Sequence, residues 1–216
     1  MNLKKLLISS IVVMAALSTQ VYAKELQAQV QKNTANANKA VKTSPVQAPS
    51  ATQAYPEISK LIEYNHCAEA DVKIRQLLNM KPNDINLLAL RAVSLAKQFK
   101  LDPAQKELDK LLKKYPKNPT LHYAQGLVYL QRTTSSDVDY IKNTRGLINS
   151  AIKEFVTAVT LNTKYYEAYN AMGVATLKLG NRNDALDLFN TAIKVNPSFA
   201  TSVSYTHLTL PTKLEV

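Results

Sequence analysis

The 216-residue sequence holds one cysteine, four glycines and no tryptophan. A single cysteine rules out an internal disulfide, a multi-cysteine zinc site and an iron–sulfur cluster. Four glycines leave no room for a phosphate-cradling glycine-rich loop. Long apolar runs are scarce too: beyond the first 23 residues none approaches the roughly 20 residues that cross about 30 Å of hydrocarbon. Negative charge is in deficit, with 27 Lys plus Arg against 16 Asp plus Glu and a formal charge of +11. Enzyme classes that announce themselves by motif are disfavoured, and no cofactor or metal is expected.

The one apolar run lies at the start. Lys4 and Lys5 precede Leu6–Leu17, interrupted by Ser9 and Ser10, and Val21-Tyr22-Ala23 closes the segment with short residues where a signal peptidase reads. The run is too short to span a bilayer. It reads as a secretory signal occupying 1–23, cut after Ala23 to leave Lys24 first. The expectation is a periplasmic or secreted protein without a transmembrane segment, in a compartment where nucleic acid is not a partner. Residues 24–54 follow as a linker rich in Gln, Ala, Asn, Lys, Thr, Pro and Ser. They are too poor in large apolar side chains to offset the entropy of ordering, and read as a flexible tether.

Past the linker the chain repeats. Pro82 and Pro116 lie 34 positions apart, each closing a lysine-rich helical pattern, and Pro197 closes a third. Twelve residues before these prolines stand Ala70, Ala104 and Ala185; eight before stand Ile74, Leu108 and Phe189; five before stand Leu77, Leu111 and Ala192. A fourth copy reads Ala151, Phe155, Ala158 and Thr163, with threonine in place of proline. A second set of trios accompanies them: Leu88, Ala92, Leu95; His122, Gly126, Tyr129; and Tyr169, Gly173, Thr176. Spacings of four then three place each trio on one helix face. Period and pattern predict an array of helix–turn–helix units, with the small middle residue marking where two helices approach closely.

These residues resemble the tetratricopeptide repeat family, most fully over 166–199 with Tyr169, Gly173, Gly180, Ala185, Phe189, Ala192 and Pro197. The resemblance implies an all-α, right-handed α-solenoid of about four antiparallel helix pairs over 55–200, with units near 51–84, 85–118, 119–165 and 166–199. Unit one departs from the pattern: Ile58 fills the small slot, and Pro56 predicts a short helix beginning there. Unit three carries 13 extra residues within 132–146, where Ser136-Asp137-Val138-Asp139 reads as a capping box that lengthens the second helix. Asn118-Pro119 and Asp102-Pro103 read as caps before an N1 proline, and Gly180-Asn181 as a helix-ending turn. The tail 201–216 continues no helical frame and is either a disordered extension or foreign to the native chain.

Candidate chemistry is thin. His207 lies in the tail, His122 occupies a packing slot, and His66 adjoins Cys67 in a turn where adjacent side chains rarely aim at one point. The chain is therefore read as not an enzyme. The family resemblance implies instead a concave groove lined by the first helix of each unit. Carried over, the groove positions are Asn86, Ala89, Leu90, Val93 and Lys97 in unit two, Tyr123, Leu127 and Leu130 in unit three, and Asn170, Val174 and Lys178 in unit four. Relatives that clamp an acidic chaperone tail carry lysine and asparagine at two of these positions; Ala89/Val93, Tyr123/Leu127 and Asn170/Val174 stand there instead, so no such clamp is implied. The groove list is mostly apolar and suits a partner protein's amphipathic helix or extended apolar segment. Two alternatives stay open. A basic ridge (Lys106, Lys110, Lys113, Lys114, Lys117) provides a contact with the cell envelope, or the array is a helper domain of a longer protein.

Overall fold

The computed structural model describes residues 49–198, together with Ala28, which is helical and exposed. The signal segment, the tether up to residue 48 (Ala28 apart) and the tail 201–216 lie outside the described residues. Ten helices and no strand occupy the described residues. They are α1 (Ala51–Ala54), α2 (Pro56–Glu63), α3 (Cys67–Met80), α4 (Ile85–Lys97), α5 (Leu101–Lys114), α6 (Pro119–Arg132), α7 (Val138–Lys142), α8 (Thr144–Leu161), α9 (Tyr166–Lys178) and α10 (Arg182–Val195). Four antiparallel pairs, α2/α3, α4/α5, α6/α8 and α9/α10, stack along the chain, each leaning on the next.

The repeat slots are the packing core. Ala70, Ala104, Ala151 and Ala185 are fully buried, as are Ile74, Leu108, Phe155 and Phe189 four residues later. Within the last two pairs the small residue of the first helix meets the aromatic ring of the second: Gly126 faces the edge of Phe155, and a Cβ on Gly173 would stand 2.6 Å from Phe189 Cε1. Glycine is required there because any side chain would displace a buried ring. The other pairs trade size across the same contact, with Ala92 against Leu108 in one cluster and Ile58 against Ile74 in another.

Three of the turns within pairs share one device. Asn65, Phe99 and Gly180 each adopt positive φ, at 62°, 59° and 89°. The next amide then bonds back across the helix end: His66 N to Leu61 O, Lys100 N to Leu95 O, and Asn181 N to Thr176 O. This six-to-one closure satisfies carbonyls that the last helical turn leaves open.

Two cap expectations need correction. Helix α5 begins at Leu101 with Lys100 at its N-cap and no side-chain cap. Asp102 thus lies inside the first turn, where its carboxylate takes Arg132 Nη2 at 3.1 Å, because the closure at Phe99 starts the helix early. In the insertion Asp137, not Ser136, is the N-cap, accepting from Asp139 N at 2.9 Å. The extra residues form a turn and the short α7 before α8, which itself reaches 18 residues against 14 in α3, α5 and α10. The Arg132 guanidinium holds this segment by donating to the Tyr140 hydroxyl and to Leu101 O, with the Tyr140 ring 5.0 Å away. The cap at Asn118 is as the sequence reads, accepting from Leu121 N, and Asp84 caps α4 by accepting from Asn86 N and Leu87 N.

Candidate groove of the helical array

The first helices of the pairs, α2, α4, α6 and α9, surround a cavity of about 400 Å³ that α1 helps to close. Of the groove residues expected from sequence, Ala89, Leu90, Val93 and Lys97 on α4, Tyr123 and Leu127 on α6, and Asn170 on α9 line it. Ala89 and Leu90 are closed floor, 2% and 6% exposed, whereas Val93, Tyr123 and Leu127 remain half-buried. Four expected residues lie elsewhere. Val174 packs toward Ala185 and Phe189 inside its own unit, Leu130 joins the core around Phe155, Asn86 sits in the capped turn of α4, and Lys178 is exposed away from the cavity.

The wall missed from sequence is unit one, which supplies Thr52, Pro56, Ser59, Ile62 and Glu63. The signal for it was the period itself. Moving Asn86, Leu90, Val93, Ala96 and Lys97 back by 34 lands on those five positions, but the proline and Ile58 obscured the frame.

Residues 51–54, placed by composition at the end of the tether, are instead a capped helix that straps this wall across the groove. Ser50 Oγ accepts from Gln53 N while Gln53 Oε1 accepts from Ser50 N, a complete capping box. The same Ser50 hydroxyl donates to Glu167 Oε1 at 2.5 Å, and Gln53 reaches the Tyr166 hydroxyl. Next along, the Tyr55 hydroxyl donates to Asp84 Oδ2 at 2.6 Å, and that carboxylate pushes its pKa up to about 12. The strap is therefore pinned to the opening turns of both α4 and α9.

Glu167 sets the electrostatics. It is 4% exposed, and burial raises its pKa, opposed in part by hydrogen bonds from Ser50, its own backbone and Tyr166. Oε2 has no hydrogen-bond partner of good geometry; nor do two other buried acceptors of the cavity lining, Ser59 Oγ and Asn170 Oδ1. Burial likewise drives the Tyr123 hydroxyl far above its ordinary range, with the Glu167 and Glu63 carboxylates adding to the effect. The Tyr123 ring is locked by tilted contacts to Tyr165 and Phe155, with centroids 5.1 and 5.9 Å away.

Other candidates are placed apart from this site. Cys67 is buried at the start of α3 while His66 beside it is exposed. Among the described residues no three His, Cys, Asp or Glu side chains converge as a metal site, and no helix is long and apolar enough to cross a membrane. The lysines at 106, 110, 113, 114 and 117 are all exposed along and just beyond α5, and none forms an ion pair among the described residues.

No protein-family model matches the sequence, and no curated protein does. Solved structures do. The chain is similar to TTC0263, a thermophilic TPR protein of Thermus thermophilus, at 16% identity and a TM-score of 0.58, with 74% of this chain and 83% of that one covered. A MamA (41-end) structure from Desulfovibrio magneticus RS-1 aligns at 15% identity over 83% of this chain and 95% of that one, with a TM-score of 0.43. At these identities the first comparison speaks to architecture alone, and together with the register of the four helix pairs it shows that this chain has the tetratricopeptide-repeat fold.

Proposed function

We propose that the chain is a non-catalytic protein-interaction scaffold that holds a segment of a partner protein in the groove between α2, α4, α6 and α9. One observation carries the reading: a cavity of about 400 Å³, within the range of ligand-binding clefts, is walled by first helices from all four units. The half-buried Val93, Tyr123 and Leu127 leave apolar surface there for a partner to cover. Stacked pairs curve so that these helices share one face, the usual seat of peptide recognition in such arrays. The proposal includes export through the signal segment, with the tether giving reach in the periplasm or outside the cell. Mass spectrometry of exported protein beginning at Lys24 would support that part, and retention of residues 1–23 in the cytoplasm would overturn it.

The groove is tested by site-specific photocrosslinking. A crosslinker at Leu127 should capture a defined set of proteins that a crosslinker at Lys110 does not. Leu127→Glu, introduced beside a crosslinker at Val93, should abolish that capture while circular dichroism stays unchanged. Capture unaffected by Leu127→Glu would sink the groove reading.

The exposed lysines of α5 favour a second reading, in which the array rests on an anionic envelope surface. Salt-sensitive sedimentation with envelopes, lost in Lys110→Glu plus Lys114→Glu, would support it.

A further inference from the structure

We infer that the groove receives a polypeptide segment carrying one lysine or arginine among apolar residues, its cationic head seated on Glu167 where Ser50 now sits. The inference rests on the groove-binding reading above and specifies the chemistry of what the groove receives.

Glu167 is the reason. A carboxylate 4% exposed is costly unless paired and hydrogen-bonded, yet none of the ion pairs among the described residues involves it. Its hydrogen bonds come from neutral groups alone, the Ser50 hydroxyl on Oε1 together with its own backbone and Tyr166, and no cation of the described residues reaches it. Ser59 and Asn170 belong to the lining of the same cavity, and their Oγ and Oδ1 atoms are buried without a hydrogen-bond partner. A buried carboxylate with two further oxygens able to accept, on residues lining one cavity, complements a group with several donors and no acceptor. An ammonium brings three N–H donors and a guanidinium five, and their bonds to a carboxylate are roughly twice as strong as neutral ones. Such a group can therefore displace the Ser50 hydroxyl.

The walls fit the rest of the side chain. Val93 and Leu127 offer half-buried apolar surface to a methylene stem. Lys60 and Lys97 also line the cavity and pair with neither Glu63 nor Glu167. Their charge selects against a run of basic residues and for a single one in an apolar setting.

A random twelve-residue peptide display library panned on the full chain tests this directly. Recovered peptides that bind in the groove, defined by loss of binding in Leu127→Glu, should share one lysine or arginine at a fixed offset from apolar positions. Replacing that residue with norleucine in a synthetic consensus peptide should weaken binding at least about tenfold, as should Glu167→Gln in the protein. Ser50→Ala should tighten binding. Groove-dependent peptides without a shared basic position, or norleucine variants within about twofold of the parent, would overturn the inference and leave the groove reading standing. Recovered peptides that are indifferent to Leu127→Glu would overturn both. The norleucine comparison needs no protein variant, so a folding defect in Glu167→Gln cannot mask the answer.

Discussion

Ser50 and Glu167 lie 117 positions apart and share a buried 2.5 Å hydrogen bond. That bond ties the segment before the first repeat to the first helix of the last. It makes α1 part of the groove wall, so a partner group that pairs with Glu167 Oε1 has to displace the Ser50 hydroxyl.

Removing the bond should loosen the strap without unfolding the array. In Ser50→Ala the capping box of α1 and the donor to Glu167 vanish together, at a cost on the order of 1 kcal/mol for the cap alone. Amide exchange should accelerate over residues 50–55 and stay unchanged in α8 and α10. The strap should also respond to pH. Burial raises the pKa of Glu167 above 4.5, so the docked arrangement binds the proton more tightly than an open one. Docking is then strongest below the ordinary carboxylate value and weakens as pH rises through the raised value. Exchange protection of 50–55, corrected for intrinsic rate, should fall between about pH 5 and pH 8, and Glu167→Gln should flatten the dependence. Uniform exchange at both pH values in the unaltered protein would contradict this.

Complementary size across the helix pairs yields a double-mutant test. Gly126→Ala drives a Cβ into the Phe155 ring, and overpacking of that kind costs about 1–3 kcal/mol. Phe155→Leu alone leaves a cavity and also destabilises. Together the two reproduce the Ala92/Leu108 solution already present in the α4/α5 pair, so the double variant should be more stable in urea than the sum of the single losses. Additive losses would mean that the two sites do not share the contact.

Much of this architecture was legible because a solenoid writes its packing locally. Ala70, Ala104, Ala151 and Ala185 announce one slot by period alone, and each is fully buried. Groove residues on α4 and α6 followed from the same frame, since helix periodicity fixes which side chains share a face. The strap was not legible. Residues 49–54 contain no large apolar side chain, and what docks them is the Ser50 hydroxyl on Glu167, Gln53 on Tyr166 and the buried Ala51, contacts far along the chain or too small to leave a periodic signature. Asp102 misled for a related reason. An Asp-Pro pair reads as a cap, but the left-handed Phe99 closes the preceding turn first and moves the helix start.

Phe99 itself carries avoidable strain. Its φ is 59° and its side chain is 58% exposed, so the ring contributes little packing while the backbone bears a left-handed cost of about 1–2 kcal/mol. The equivalent turns place Asn65 and Gly180 there. Phe99→Asn should therefore raise stability by up to about 1 kcal/mol, read as a higher urea midpoint with an unchanged slope. A lower midpoint would show that the ring stabilises the turn by more than the strain costs.

His122 braces the third pair and should make its stability depend on pH. Nδ1 lies 2.7 Å from Glu154 Oε2 and Nε2 lies 2.9 Å from Pro116 O. Both partners accept, and a neutral imidazole has only one N–H to give, so the cation alone satisfies both. Burial works against that cation, but the Glu154 carboxylate and the Pro116 carbonyl outweigh it, leaving the His122 pKa above 6.5. A pKa raised in the folded state contributes stability that is fully present below about 6.5 and is lost as pH rises through the raised value. Urea midpoints should accordingly fall from about pH 5.5 to pH 8.5, and Glu154→Gln should remove most of that fall by stripping the brace of its charge. The direct reading is an NMR titration of the His122 ring: an apparent pKa above 6.5 that drops in Glu154→Gln is expected, and one at or below 6.5 in the unaltered protein would refute the brace.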